Sequence, residues 1–326
     1  ERVKELIYQK CPYGDESLLI AIDYNNFEII KLLLDSGCPC DGQATGCAAT
    51  NGNLEVLKLL KSYNCTFDEF TFMHACENGN MVNIEWLYDN ECPFDDTAYS
   101  GAAISGDLEI LKWLKSKGCP LNKRSFGSSV DSAFAAAAEK GILENMMWLH
   151  ENGFPKNTNT FSKAAKNGNL DNMKWLKDHD CPYDERTFSA AAKQGSLENL
   201  KWLHANKFPI NEWTMYNAVF RKCVHNESFD NLMFLRDISA PVNSHVFSQA
   251  SYGYDIETMQ FLYDMGCPFN EQTFHQFVCH GMRLEKLKWL FEHGCPVGID
   301  SFNTIARHGN AEIKEWLRNS YNNFNE

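Results

Sequence analysis

The 326-residue chain is 44% hydrophobic and 13% aromatic, enough for a substantial core, which excludes a disordered polypeptide. Its 43 acidic against 30 basic residues give a formal charge of −13, so no general phosphate-binding surface is expected, and neither nucleic acid nor an anionic membrane is a predicted partner. No apolar run approaches the roughly eighteen residues of a membrane span, and "ERVKELIYQK" at the start has no signal-peptide centre.

The chain begins at Glu1 rather than Met, which points to a piece of a longer product. Its 13 cysteines, an odd number without secretory features, point to a reducing cytosol.

In chain order, a half-repeat at residues 1–10 precedes the first of a series of Cys-Pro pairs, Cys11-Pro12. Taking the residue before each proline as an anchor gives Cys11, Cys38, Cys65 (with Thr66 in place of proline), Cys92, Cys119, Phe154, Cys181, Phe208, Ala240, Cys267 and Cys295. Successive anchors lie 27 residues apart, apart from spacings of 35, 32 and 28, and all ten prolines directly follow an anchor. Such self-similarity marks an internal repeat.

Three residues past the anchor, nine copies have Asp or Asn and two have Gly (Gly14, Gly298), a set that suits a helix N-cap. A first helix follows, as in Phe188–Ala192, and should end fourteen residues past the anchor. There Gly52, Gly79, Gly106, Gly168, Gly195, Gly281 and Gly309, or Asn25, favour the left-handed C-cap conformation. Ser196–Lys207 exemplifies the second helix, with Leu197, Leu200 and Leu203 on one stripe. Its Trp202 shares a position with Leu59, Trp86, Trp113, Trp148, Trp175, Phe234, Phe261, Trp289 and Trp316. A position that never turns polar reads as inter-repeat core, the alternative being a ligand-stacking ladder. The pattern predicts about eleven helix-turn-helix repeats in a single array over residues 1–326.

Helix, tight turn, helix and loop, with an Ala pair and a Gly at set places, resembles the ankyrin repeat. "RTFSAAAKQG", Arg186–Gly195, aligns with the family's T-P-L-H-x-A-A-x-x-G, putting Phe188 at the Leu, Ser189 at the His and Ala191-Ala192 at the Ala pair. The recurring "CP(Y/F)(D/N)E" form is similar to the divergent ankyrin arrays abundant in giant DNA viruses of protists. The resemblance implies an all-α, ankyrin-like helical repeat solenoid. Family units run to about 33 residues, and these are six shorter where the β-hairpin finger normally projects, so most fingers should be stunted. An eight-residue insertion within Asn122–Ser132 restores one finger and makes Arg124 and Phe126 candidate contacts, unless it is a neutral surface insertion. A five-residue insertion within Val219–Ser228 falls between the two helices of its repeat.

Neighbouring repeats stack about 8–10 Å apart, whereas a disulfide needs Cα atoms roughly 4.4–6.8 Å apart, so the anchor cysteines are expected not to bond along the stack. Phe154, Phe208 and Ala240 at the same position argue against a metal ligand and for packing. Cys38-x-Cys40 has no companion pair at zinc-finger spacing. His275 and Cys279, four apart with His280 adjacent, are the one motivation for a metal site or an enzyme. No nucleophile, phosphate-loop or paired-carboxylate motif is present, so no catalytic residue and no cofactor is predicted.

Positions fixed by packing are monotonous, and positions free of packing can be tuned for a partner. Five past the anchor the array carries Gln43, Phe70, Asn159, Arg186, Trp213, His245 and Gln272, and nine past it Cys47, His74, Lys163, Asn217, Gln249 and Gln276. By the ankyrin alignment both positions face the groove. Candidate contacts are therefore Phe70, His74, Lys163, Arg186, Trp213, Asn217, His245, Gln249 and Gln276. Phe70 and Trp213 are either interface anchors or packed on a neighbour's loop.

The expected function is a protein–protein interaction module, a monomer binding a protein through its concave first-helix face. The viral resemblance adds a cytoplasmic setting in an infected host and a role in sequestering host factors or delivering them to ubiquitin ligases. The alternative is a structural component that assembles with itself or with a particle.

Overall fold

The computed structural model describes residues 15–121, 133–225, 229–253 and 256–322, which fall into two compact units, Glu1–Pro182 and Tyr183–Glu326. The first unit holds six helix pairs: α1 (Asp15–Asp23) with α2 (Phe27–Asp35), α3 (Gly42–Asn51) with α4 (Leu54–Ser62), α5 (Glu69–Asn78) with α6 (Met81–Asp89), α7 (Thr97–Ser105) with α8 (Leu108–Ser116), α9 (Ala133–Lys140) with α10 (Leu143–Glu151), and α11 (Thr158–Asn167) with α12 (Leu170–Asp178). The second holds five: α13 (Glu185–Gln194) with α14 (Leu197–Ala205), α15 (Glu212–His225) with α16 (Asp230–Asp237), α17 (Ser244–Ser248) with α18 (Glu257–Asp264), α19 (Glu271–Cys279) with α20 (Leu284–Glu292), and α21 (Ile299–His308) with α22 (Ala311–Asn322). Within each unit the first helices pack side by side, α3 between α1 and α5, and α17 between α15 and α19. No β-strand occurs among the described residues, in keeping with the shortened finger segment.

The N-caps follow from chemistry. Asp41 Oδ1 accepts from the Gln43 and Ala44 N–H groups at 3.0 and 3.3 Å. Asp68, Asn157 and Asn270 complete capping boxes with Thr71, Thr160 and Thr273. A cap of this kind contributes about 1 kcal/mol. First helices end on left-handed residues such as Gly79 (φ 83°) and Gly195 (φ 94°). Gly309 departs from the expectation, with φ −65° and ψ 145°, because the last repeat leaves α21 in extended conformation before Asn310 caps α22.

The anchor owes its character to the end of the second helix. Cys92 N–H donates to Leu87 C=O at 3.0 Å, and Cys119, Cys181 and Cys267 do the same to Leu114, Leu176 and Leu262. The residue before each of these anchors is left-handed: Glu91 (φ 56°), Gly118 (φ 75°), Asp180 (φ 53°) and Gly266 (φ 73°). This is the six-to-one bond of a Schellman motif, whose closing residue is characteristically apolar, and the following proline prevents the helix from continuing. These anchor thiols are buried, and each donates back to the carbonyl three residues past the preceding anchor, as Cys92 does to Asp68 O (3.4 Å) and Cys119 to Asp95 O (3.1 Å).

One cysteine expectation is overturned. Cys65, an anchor, is disulfide-bonded to Cys40, with Cα atoms 5.2 Å apart. The bond joins an anchor to a residue two past the preceding anchor, and other repeats have no cysteine at that second position. Among the described residues one cysteine pair is therefore oxidised, against the fully reduced state the cysteine content suggested.

The core is a row of first-helix side chains. Phe72, Phe134, Phe161, Phe188, Phe247 and Phe274 are fully buried, and each stabilises its unit by about 1.5–3 kcal/mol through area removed from water. The tryptophan row packs against this core from the next repeat, Phe72 stacking on Trp113 at 6.4 Å and Phe247 on Trp289 at 6.2 Å between centroids. The inter-repeat reading of the tryptophans holds at these contacts. Asparagines at the ends of first helices join repeats as well, Asn51 Nδ2 donating to Ile22 O and Asn78 Nδ2 to Thr50 O, both at 2.9 Å. The insertion within Val219–Ser228 lengthens α15 to 14 residues, so its described part extends the helix instead of forming a loop.

Candidate partner-binding site

In the first unit the exposed edge of the first helices opens into a cavity of about 510 Å³ between α3 and α5. Its walls are Asp41, Gly42, Gln43, Gly46, Cys47, Asp68, Phe70 and His74. Four of these stand five and nine residues past Cys38 and Cys65, so the two positions singled out by their variability converge here. The room comes from two glycines one helical turn apart. A Cβ at Gly42 would lie 2.3 Å from Asp68 Oδ2, and one at Gly46 would lie 3.2 Å from His74 Cδ2. Other repeats carry side chains at both positions, as in Glu69 and Met73 or Glu185 and Ser189.

Phe70 is 56% exposed, so it does not pack on a neighbouring loop. His74 Nδ1 lies 3.2 Å from Glu77 Oε2. The Cys47 thiol donates to Asp23 Oδ1 at 2.8 Å, and burial together with that hydrogen bond pushes its pKa up to about 12, so it stays protonated. Lys163, on α11, is committed to an ion pair with Glu139 at 2.6 Å, which Lys166 shares at 2.5 Å. Burial alone would raise the Glu139 carboxyl, but the two ammonium groups outweigh it and hold the group below its ordinary value.

In the second unit Trp213 is 51% exposed and meets the Tyr216 ring edge-on at 5.1 Å. His245 is exposed at the start of α17. Arg186 is also exposed, and it folds back onto its own N-cap, Nη2 to Asp184 Oδ2 at 2.6 Å. Asn217 Nδ2 donates to Ser189 O at 3.1 Å, a bond between repeats, and Gln276 is half-buried. Gln249 is buried: α17 stops at Ser248, and a 3₁₀ turn over Gln249–Tyr252 carries the side chain inward, away from the exposed edge. Arg124 and Phe126, with the enlarged finger at 122–132, lie outside the described residues, as does the leading half-repeat.

The metal candidate does not assemble. Cys279 Sγ lies 3.4 Å from His275 Nε2, but His280 turns to Ser251, its Nδ1 2.9 Å from Oγ. Among the described residues no group of three or more His, Cys, Asp or Glu side chains is placed to hold a metal ion.

Residues 45–125 match the family model described as ankyrin repeats in three copies. The matched stretch is made of the same 27-residue unit that runs through the rest of the chain. Residues 45–125 are ankyrin repeats. A search of solved structures returns the human ASB11 ankyrin repeat domain, 20% identical, covering 52% of this chain and 84% of that one, with a TM-score of 0.39. Curated proteins give no match. Ankyrin repeats make a protein–protein interaction module, and no described helix of this one is long and apolar enough to cross a membrane.

The cavity walls that sequence reasoning missed are Asp41, Gly42, Gly46 and Asp68. The aspartates read as caps, which they are, and the glycines lie at positions that the repeat pattern did not single out. The available signal was two glycines one turn apart where other repeats of the ankyrin array carry side chains.

Proposed function

We propose that this ankyrin array is a binding module that engages a protein partner through the first-helix faces of its units. The observation that carries the reading is the pair of exposed aromatics five residues past an anchor, Phe70 at 56% and Trp213 at 51%, on first helices whose phenylalanines Phe72, Phe161, Phe188, Phe247 and Phe274 are fully buried. Aromatic side chains dominate the energetics of protein interfaces, and these two are held on rigid helices. In its finer form the reading makes the protein a monomeric cytoplasmic adaptor that captures a host factor or presents it to a ubiquitin ligase. That form is supported by the likeness of the repeat unit to viral ankyrin arrays.

The test is a pull-down with the wild-type chain and the triple variant Phe70→Ala, Trp213→Ala, His245→Ala. Partners held by the wild type should be lost or weakened by at least about tenfold, since single hot-spot truncations cost 2 kcal/mol or more. Retention of every partner at wild-type strength, with an unchanged circular dichroism spectrum and melting temperature, would overturn the reading.

A further inference from the structure

We propose that the cavity between α3 and α5 receives the guanidinium group of an arginine on the partner, an inference that rests on the binding reading above and names the chemistry of what is bound. The walls carry two carboxylates, Asp41 and Asp68, and no Lys or Arg. Two further carboxylates stand immediately behind, Asp23 bonded to Cys47 and Glu77 beside His74. An anionic ligand is repelled at such a site, and a cation is attracted.

The carboxylates are half engaged. Asp41 Oδ1 and Asp68 Oδ1 accept the helix-capping bonds. Asp68 Oδ2 projects instead over Gly42, into the space that a side chain there would fill. A guanidinium offers five N–H donors in a planar fork and can serve two carboxylates at once, whereas an ammonium is a point charge. The exposed Phe70 ring adds a flat face on which a guanidinium stacks. The cavity is large enough for an arginine side chain with adjoining backbone, and Gly42 and Gly46 supply the room.

Negative charge is not needed for capping. Other repeats place Asn157, Asn243 and Asn270 at the same position and cap their helices equally well. Replacing both aspartates by asparagine therefore removes the charge and keeps the caps.

The probe is acetyl-Gly-Arg-Gly-amide, titrated into the full chain while the His74 ring resonances are followed by NMR. The expected result is a saturable shift with the wild type, affinity reduced by at least about tenfold in Asp41→Asn/Asp68→Asn, and weaker binding of the lysine tripeptide. The variant Glu55→Gln/Glu109→Gln, which makes the same change of net charge on exposed second helices, should bind like wild type. Gly46→Leu fills the cavity without altering charge and should also abolish the shift, which guards against a folding defect in the asparagine variant. Absence of a saturable His74 shift, unchanged affinity in the asparagine variant, equal weakening in the glutamine control, or equal binding of the lysine tripeptide would each overturn the assignment. A negative tripeptide result leaves the pull-down reading standing, and retained pull-down partners leave a positive tripeptide result intact, so the two failures are distinguishable.

Discussion

The anchor cysteine is defined by what its backbone does. Its N–H closes the end of a second helix, its thiol is buried and reaches the carbonyl three residues past the preceding anchor, and burial pushes the pKa of Cys92, Cys119, Cys181, Cys267 and Cys295 up to about 12. At pH 8 a thiol with such a pKa is ionised in roughly one molecule in ten thousand, and the thiolate is the nucleophile. Cys279 is exposed. Iodoacetamide at pH 8 should therefore modify Cys279 in the native protein and leave these five anchors unmodified until denaturant is added. Peptide mapping by mass spectrometry checks this, and labelling of the anchors at the Cys279 rate would contradict the burial argument. Free Cys is normally a small buried hydrophobe, and here the array has made it a weak donor between neighbours as well.

At the scale of the element, the turn after each second helix demands a left-handed residue. Five repeats meet it with glycine, while Asn64, Glu91, Asp180, Lys207 and Ser239 adopt it with a side chain. At Gly37, Gly118 and Gly153 an added Cβ would meet nothing within 4 Å, so the difficulty is backbone conformation and not crowding. Glu91→Gly and Lys207→Gly should each raise stability by about 0.5–1 kcal/mol, the left-handed penalty less the extra chain entropy of glycine. A shift of the urea midpoint to higher concentration tests this, and no gain at either site would refute it.

The caps and the first-helix ends were legible in the sequence because Asp, Asn and Gly there answer to local backbone chemistry. The role of the anchor was not, since Glu91 and Lys207 hide the left-handed position and the closing bond is visible only in three dimensions. The inward turn at Gln249 and the Cys40–Cys65 bond escaped for the same reason, both depending on backbone paths that the regular period does not encode. The variable positions did point to the cavity through Gln43, Cys47, Phe70 and His74, and the two glycines that open it went unread.

At the scale of the whole molecule, stability is built from contacts between neighbours, so damage should stay local. In the first unit Phe72 is fully buried and stacks on Phe94 at 4.9 Å and on Trp113 of the next repeat. Phe72→Ala should cost about 3–5 kcal/mol, the range for truncating a large core side chain. Hydrogen exchange should show protection lost in α3 to α8 and kept in α11 and α12. Equal loss in all of them would mean that the unit opens as one body.

The Cys40–Cys65 bond sets one neighbouring pair apart from this picture. It ends one residue before Asp41 and three before Asp68, so covalent geometry, and not packing alone, fixes how far apart two of the acidic caps can drift. The rung of the ladder that carries the cavity is consequently stiffened by electron balance. A change in the surrounding thiol–disulfide ratio would loosen that rung while leaving the thiol-packed joints of its neighbours unchanged.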